Sequence, residues 1–182
     1  MSAQIGDTLH YEGTKYTMAS EPPLNPPARA KYDIRFFSLC TACERGYQAR
    51  WEVKAGKLFI KGIRGRAYVT DKEKFRKQKL RLRKLMGKGE ITPSEGRRLL
   101  REAGRNLRKD RNISLYFLYG SREPVFASWV SGTIRVPKGK MLNYEHFGYE
   151  STFEEDLVLT FSKGILTESQ VQKNFFLSFD DL

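Results

Sequence analysis

Apolar and polar residues alternate over much of this 182-residue chain, which is the period of a β-strand. Residues 8–18 form two short β-prone runs that Gly13 separates, and this pattern predicts a hairpin. Residues 47–53 alternate again and an apolar run follows at 58–60, so we predict a second hairpin with its aromatic side inward. Four of the seven prolines lie within residues 22–27 and predict an extended connector between these hairpins.

The C-terminal part of the chain is also rich in β-prone segments. In chain order we predict a strand at 113–119, a strand at 125–136, a turn at 137–140, a returning strand at 141–144, and a hairpin formed by 156–161 and 165–167. Residues 168–182 have no clear period. Their apolar side chains are too numerous for a free tail, so we expect Phe175, Phe176, Leu177 and Phe179 to dock on the body.

The apolar period changes to that of an α-helix between residues 71 and 111. The stretch from Lys72 to Met86 contains no turn residue, and its apolar side chains recur on one helical face at Phe75, Leu82, Leu85 and Met86. Gly87 and Gly89 predict the end of this helix.

A second helix is predicted to begin with a capping box. Thr92 stands at the N-cap, Pro93 at the first helical position, and Glu95 where its side chain reaches back to the N-cap backbone. An apolar stripe then continues to about Lys109 through Leu99, Leu100, Ala103 and Leu107. The two helices predict a helical hairpin inserted between strands.

These patterns predict an α+β protein with a mainly antiparallel β body formed by residues 1–70 and 112–182. Residues 71–111 form the inserted basic helical hairpin. The length fits one domain with an added module.

Charge separates the two parts even more clearly than the apolar pattern does. Residues 72–111 carry sixteen of the 33 lysines and arginines but only five acids, so they hold almost all of the net charge of +12. The first predicted helix has eight bases between Lys72 and Lys84 and the single acid Glu73. Solvated helices usually mix the two signs, so this concentration points to a polyanionic partner.

Phosphate backbones are the commonest polyanions in a cell, and each neutralised phosphate releases counterions. We therefore expect the hairpin to bind DNA or structured RNA, alone or in a ribonucleoprotein, through the phosphate backbone. The residues expected to make this contact are Arg76, Lys77, Lys79, Arg81, Arg83, Lys84, Arg97, Arg98, Arg101, Arg105 and Arg108.

Other partners and roles fit the same pattern. An acidic protein surface would also bind the hairpin, which would then be a protein-interaction module. A sequence-reading helix-turn-helix is disfavoured, because the 87–91 connection is long and the second helix has no cluster of Asn or Gln. By analogy, a small chain of this design resembles a phage or mobile-element protein that inhibits a host nucleic-acid-targeting defence such as CRISPR.

The polar cluster around His146 offers an enzymatic alternative. His146 could act as a general base oriented by Glu150 or Glu154, as in a nucleic-acid-processing enzyme. No acid pair for a metal and no glycine-rich phosphate loop stands beside it, so we favour a polar turn whose side chains hydrogen-bond locally.

Cysteine and aromatic residues have simpler interpretations. Cys40 and Cys43 lack a second ligand pair for zinc, so we expect two buried thiols at a strand–turn junction. Tyr47, Trp51, Phe126 and Trp129 are expected in the core rather than on a base-stacking surface. No cofactor or metal is predicted.

Composition suggests where the protein works. No stretch approaches the length of about 20 apolar residues that a membrane span requires, and the first residues do not resemble a signal peptide. Two cysteines are too few for a disulfide framework. We therefore expect a cytoplasmic protein without a membrane partner.

Three segments of the body resemble a loose family of bacterial proteins that share the patterns WEI, W-x-S-G-x-(I/L)-R and H-x-G-Y-x-S-x-(Y/F)-E. The matching segments begin at Trp51, Trp129 and His146, and Val53 replaces the isoleucine of the first pattern. The resemblance covers roughly residues 32–63 and 124–166. It implies a β-rich body, no particular activity, and a basic hairpin that is peculiar to this chain or its near relatives.

Overall fold

The computed structural model describes residues 3–175 and has the α+β architecture that the sequence predicts. Its strands are β1 (Thr8–Tyr11), β2 (Thr14–Thr17), β3 (Tyr32–Phe36), β4 (Tyr47–Lys54), β5 (Lys57–Asp71), β6 (Arg108–Ile113), β7 (Val125–Phe126), β8 (Gly132–Asn143), β9 (Thr152–Ser162) and β10 (Ile165–Lys173). Its helices are α1 (Ala28–Lys31), α2 (Lys72–Gly87), α3 (Pro93–Leu107) and α4 (Leu115–Tyr119). Within residues 3–175, no helix is both long and apolar enough to cross a membrane.

The long strand β5 organises the sheet. Its first half pairs with β4 along one edge and with β7 and the start of β10 along the other. Its second half pairs with β3 along the β4 edge and with β6 along the β7 edge. The main strand order is β2-β1-β4-β5-β10-β9-β8, in which β1 and β4 are parallel and the other neighbours antiparallel.

The sheet curls so that its ends approach each other. The amide of Ala19, just after β2, donates to the carbonyl of Arg135 in β8 at 2.9 Å, and the amide of Arg135 donates to Ser20 Oγ at 2.8 Å. The concave side encloses the core, where Leu9, Trp51 and Leu159 have no exposed surface. Full burial of side chains of this size stabilises the fold by roughly 1.5–3 kcal/mol each.

The two predicted N-terminal hairpins are confirmed, and both are closed by two-residue turns. Glu12 and Gly13 connect β1 to β2, and Ala55 and Gly56 connect β4 to β5. All four residues have positive φ, the backbone geometry that matches the twist of a two-residue hairpin.

The helical hairpin forms where the sequence predicts it and is fixed by its caps. The Asp71 carboxylate accepts from the amides of Glu73 and Lys74, each at 3.0 Å, and begins α2. The predicted capping box is present, because the Thr92 amide donates to Glu95 Oε2 at 2.8 Å and the Glu95 amide donates to Thr92 Oγ1 at 3.2 Å. These hydrogen bonds lower the pKa of both carboxyls.

Several expectations for the C-terminal half are wrong, and the first two concern predicted strands. The predicted strand at 113–119 ends at Ile113, because Ser114 Oγ caps the Phe117 amide at 3.2 Å and begins α4. The predicted strand at 125–136 is interrupted, because the Val130 amide closes a turn on the Ala127 carbonyl. Local capping and turn hydrogen bonds outweigh β propensity in both places.

The predicted turn at 137–140 and the returning strand at 141–144 are also wrong, since β8 runs through to Asn143 with irregularities in its register. Pro137 pairs with Asp156 in β8, which is an edge strand. Proline is tolerated in an edge strand because the N–H that it lacks would face away from the neighbouring strand. The hairpin predicted at 156–161 and 165–167 is confirmed as part of the longer pair β9–β10. Phe175 is 82% exposed and does not dock on the body, and the other apolar residues of that expectation lie outside the described residues.

Candidate nucleic-acid interface

The basic residues of the predicted interface all lie at the surface. Each one is exposed on α2, α3 or the first position of β6: Arg76, Lys77, Lys79, Arg81, Arg83, Lys84, Arg97, Arg98, Arg101, Arg105 and Arg108. They do not form one surface, however. Helical geometry divides them between the two sides of the hairpin.

Helix α2 carries two separate rows of cations. Residues three or four positions apart lie above one another on a helix. One row therefore consists of Lys72, Arg76, Lys79 and Arg83, and the other of Lys74, Lys77, Arg81, Lys84 and Lys88. The apolar stripe of Phe75 and Leu82 runs between them and packs toward α3.

The residues that line two cavities beside the hairpin show which residues of α3 lie next to each cation row of α2. Lys72 lines a cavity together with Arg101 and Arg105, whereas Arg81 lines another with Glu102 and Asn106. We call the first side the groove-side face, formed by Lys72, Arg76, Lys79 and Arg83 of α2 with Arg97, Arg101 and Arg105 of α3. The opposite face holds the other row of α2.

The two faces differ in their counter-charges. On the opposite face two of the five cations of the α2 row are paired: Lys77 Nζ lies 2.8 Å from Glu73 Oε1, one turn away, and Lys88 Nζ lies 3.6 Å from Glu90 Oε1. The first of these ion pairs raises the Lys77 pKa. None of the seven cations of the groove-side face forms an ion pair with a carboxylate of residues 3–175. Crowded like charges destabilise a helix unless an anion neutralises them, so the groove-side face favours an anionic partner.

The groove-side face leads down to a cavity of about 420 Å³ between the hairpin and the sheet. Phe75 of α2 and Tyr68 of β5 supply its aromatic walls. Lys72, Arg101 and Arg105 supply cations on the hairpin side. We call this cavity the basal groove.

The sheet side of the basal groove follows from the alternation of β5. Ala67 and Val69 point into the core, so Arg66, Tyr68 and Thr70 point outward. Register pairing places Arg35 of β3 and Asp110 of β6 beside Tyr68, and Arg108 beside Thr70, on the same outer surface.

Stacked side chains hold Tyr68 in place. The Arg108 guanidinium lies 4.4 Å from the Tyr68 ring centroid, and the Phe37 ring lies 4.7 Å from it at a tilt of 34°. Arg66 lies over Phe37 at 5.4 Å and is ion-paired with Asp110. Tyr68 is nevertheless 36% exposed, so a planar group can still reach this cluster from the groove.

On the sheet side of the groove the sequence predicts Arg108 but neither Arg35 nor Tyr68. A signal was present, because residues 63–70 alternate Ile, Arg, Gly, Arg, Ala, Tyr, Val, Thr. That alternation places Arg64, Arg66 and Tyr68 on one face of a strand.

The His146 cluster is a locally hydrogen-bonded turn. Tyr144 Oη and His146 Nδ1 are 2.8 Å apart, and both residues are exposed. The Glu154 carboxylate accepts from the Lys140 amide at 2.8 Å. Within residues 3–175 neither Glu154 nor Glu150 hydrogen-bonds to His146, so no carboxylate orients its ring.

The two cysteines lie in different environments. Cys43 is buried as expected and its Sγ donates to the Tyr47 carbonyl at 3.5 Å, but Cys40 is exposed, contrary to expectation. Cys40 lies in the connection between β3 and β4, at the surface of the protein. In residues 3–175 no three His, Cys, Asp or Glu side chains are grouped as metal ligands.

Three of the four expected core aromatics lie inside or against the core, and Phe126 does not. Trp51 is fully buried, and Tyr47 and Trp129 pack against the core as partly buried residues. Trp129 stacks on Tyr119 at 5.2 Å and donates to the Pro23 carbonyl at 2.8 Å. Phe126 is half-buried against Phe59 at 5.8 Å.

A buried polar cluster that the sequence did not reveal lies beneath Trp51. The Asp7 carboxylate accepts from Trp51 Nε1 at 2.9 Å, from the Ala49 amide at 2.7 Å and from Arg45. Burial raises the Asp7 pKa against the opposing effect of Arg45. Tyr149 Oη donates to Glu21 at 2.9 Å beside this pair, and burial raises its pKa well above the usual range. The cluster fastens the N-terminal segment to β4.

The segments that carry the family resemblance belong to this supporting structure. Trp51 donates to Asp7, and Arg135 donates to the Tyr149 carbonyl at 2.6 Å and lies 3.3 Å from Asp156. These residues connect parts of the body and lie away from the basal groove.

No protein-family model matches the chain, and neither a curated protein nor a solved structure matches it significantly.

Proposed function

We propose that the protein binds nucleic acid through the groove-side face of the helical hairpin, chiefly by contacts with phosphates. The observation that carries this proposal is that none of the seven cations of the groove-side face has a carboxylate partner in residues 3–175. An anion that neutralises them removes their mutual repulsion and releases its own counterions.

The dimensions of the face support a strand of phosphates as the ligand. From Lys72 to Arg83 the α2 row rises over about 16 Å of helix axis. One strand of a B-form duplex presents a phosphate every 3.4 Å of its axis, so about five phosphates fall within that length. Arg97, Arg101 and Arg105 add a second row beside the first.

The test compares two triple variants that remove the same charge from the same helix. Arg76→Gln, Lys79→Gln and Arg83→Gln change the groove-side face, and Lys77→Gln, Arg81→Gln and Lys84→Gln change the opposite face. We expect the first triple to weaken binding to oligonucleotides of any sequence and to reduce the slope of log K against log salt by roughly 3. The second triple should have a much smaller effect.

Two results would overturn the proposal. Absence of binding to DNA and RNA at low salt would exclude the function itself. Equal losses from the two triples would show that overall charge, and not the groove-side face, attracts the ligand.

The nucleic acid is free or part of a ribonucleoprotein, and the alternative partner is an acidic protein surface, because the same unpaired cations would bind it. Capture of partners from cells before and after nuclease treatment separates these cases. A partner that remains bound after nuclease treatment supports a protein-interaction module. The proposal places the protein in the cytoplasm, where the exposed free thiol of Cys40 stays reduced.

A further inference from the structure

We propose that the basal groove holds an unpaired nucleobase with its phosphate, so that the ligand of this protein is single-stranded nucleic acid. This inference rests on the proposed function and specifies its ligand. It starts from the contrast between the outer part of the hairpin, which presents cations and the exposed Leu80 but no aromatic ring, and the groove, which combines cations with aromatic rings.

The groove has the size and shape for one nucleotide. Its volume of about 420 Å³ lies within the range of small-molecule pockets, which is roughly 300–1,000 Å³. A base inside a duplex is covered on both faces by its neighbours and cannot enter such a cavity without leaving the stack. An unpaired base can enter it directly.

The side chains of the groove match the two halves of a nucleotide. The Arg108 guanidinium lies over the Tyr68 ring on the sheet side of the groove, and Phe75 lines the groove from α2. Bases stack on aromatic rings and on guanidinium planes. Arg101 and Arg105 border the same space and have no carboxylate partner in residues 3–175, so they are free to bind the phosphate.

The carboxylates on the sheet side of the groove are paired with arginines of the sheet and not with Arg101 or Arg105. Asp33, which is the acid lining the groove, is paired with Arg35 at 2.9 Å. Asp110 is paired with Arg66. Both nearby carboxylates are therefore neutralised by the sheet itself, and the arginines of α3 are left to an incoming anion.

Gly104 keeps the groove open. It lies in α3 between Arg101 and Arg105 and lines the cavity, and a Cβ at this position would meet Phe75 Cε2 at an ordinary contact distance of 3.6 Å. Glycine inside a helix costs roughly 1 kcal/mol relative to alanine, so a larger residue would favour the helix while filling the groove. The position therefore allows the groove to be blocked without removing a cation.

The experiment uses Gly104→Leu and Tyr68→Ala in the full chain. Gly87→Leu is the matched control, because Gly87 is also helical and a Cβ there would meet no atom within 4 Å. The probes are a fluorescent single strand of about 20 nucleotides, its duplex, and a free mononucleotide as competitor. Binding is measured by fluorescence anisotropy at low salt, and folding by circular dichroism.

We expect the single strand to bind more tightly than the duplex. Gly104→Leu and Tyr68→Ala should each weaken binding of the single strand by about tenfold and binding of the duplex by less than about threefold, and Gly87→Leu should change neither. The mononucleotide should compete only weakly, because it lacks the phosphates that reach the rows of α2 and α3.

The outcomes separate this inference from the proposed function. If single strand and duplex bind equally and Gly104→Leu has no selective effect, the inference is wrong and the proposed function stands. If neither binds at low salt, both are wrong. If the mononucleotide binds as tightly as the strand, the groove is a site for free nucleotides instead.

Discussion

Thr70 and Arg108 are partners in the antiparallel pairing of β5 and β6, although the whole helical hairpin lies between them in the chain. The chain thus leaves the sheet after β5 and returns to it at the same place. The strands on either side of the hairpin pair directly with each other, which predicts that the fold of the body does not need the hairpin.

Removal of the hairpin should therefore leave a folded body. In a variant with residues 72–107 replaced by one glycine, Asp71 and that glycine form a two-residue turn of the type preferred in hairpins. We expect the helical circular-dichroism signal to fall, the cooperative thermal transition to survive, and nucleic-acid binding to be lost. Loss of the transition would show instead that Phe75 and Leu82 are needed by the core of the body.

Removal of the buried Asp7 carboxylate should destabilise the body strongly. Asp7→Ala leaves the largely buried Arg45 with only the more distant Glu21 carboxylate, 3.8 Å away, as counter-charge and leaves Trp51 Nε1 without an acceptor. We expect the free energy of unfolding in urea to fall by about 3–5 kcal/mol. Asp33→Ala breaks a half-exposed pair with Arg35 and should cost less than about 1 kcal/mol. Similar losses for the two variants would contradict the role given to Asp7.

The capping box should be visible in the titration of Glu95. Hydrogen bonds from the Thr92 amide and hydroxyl lower the Glu95 pKa below its ordinary value of 4.5. A lowered pKa of an acid stabilises the folded state above the ordinary pKa, and this stabilisation is lost as pH falls through the lowered value. Thr92→Ala should therefore raise the Glu95 pKa toward 4.5 in an NMR titration. The pKa of Asp71, which caps the other helix, should stay unchanged and serves as the internal control.

Replacement of His146 should have little effect. His146 is exposed, and its ring bonds to Tyr144 and to neither neighbouring glutamate. We expect His146→Ala to keep the melting temperature and to change oligonucleotide affinity by less than about twofold. If the purified protein cleaves nucleic acid and the variant loses about 100-fold of that activity, or about 2.7 kcal/mol of transition-state stabilisation, an enzyme centred on His146 replaces the binding proposal.

Sequence patterns succeeded where the cause of a structure is local. The capping box from Thr92 to Glu95 and the turn at Ala55 and Gly56 depend only on residues a few positions apart. The same approach failed at 115–119 and 137–140. At 115–119 the Ser114 side chain caps a helix where a strand was predicted. At 137–140 the pairing of Pro137 with Asp156 of β9 keeps the chain in a strand where a turn was predicted.

The sequence by itself determined the α+β class, the helical hairpin and the concentration of positive charge on it, because period, caps and charge are properties of neighbouring residues. Only the tertiary structure decided which of those charges act together. Pairing of β3 and β6 with β5 brings Arg35 and Arg108 to Tyr68, and packing of α2 on α3 turns Arg101 toward the same groove while Arg81 faces away. These residues are far apart in the chain, and contacts between distant segments depend on the packing of the whole core rather than on any local pattern.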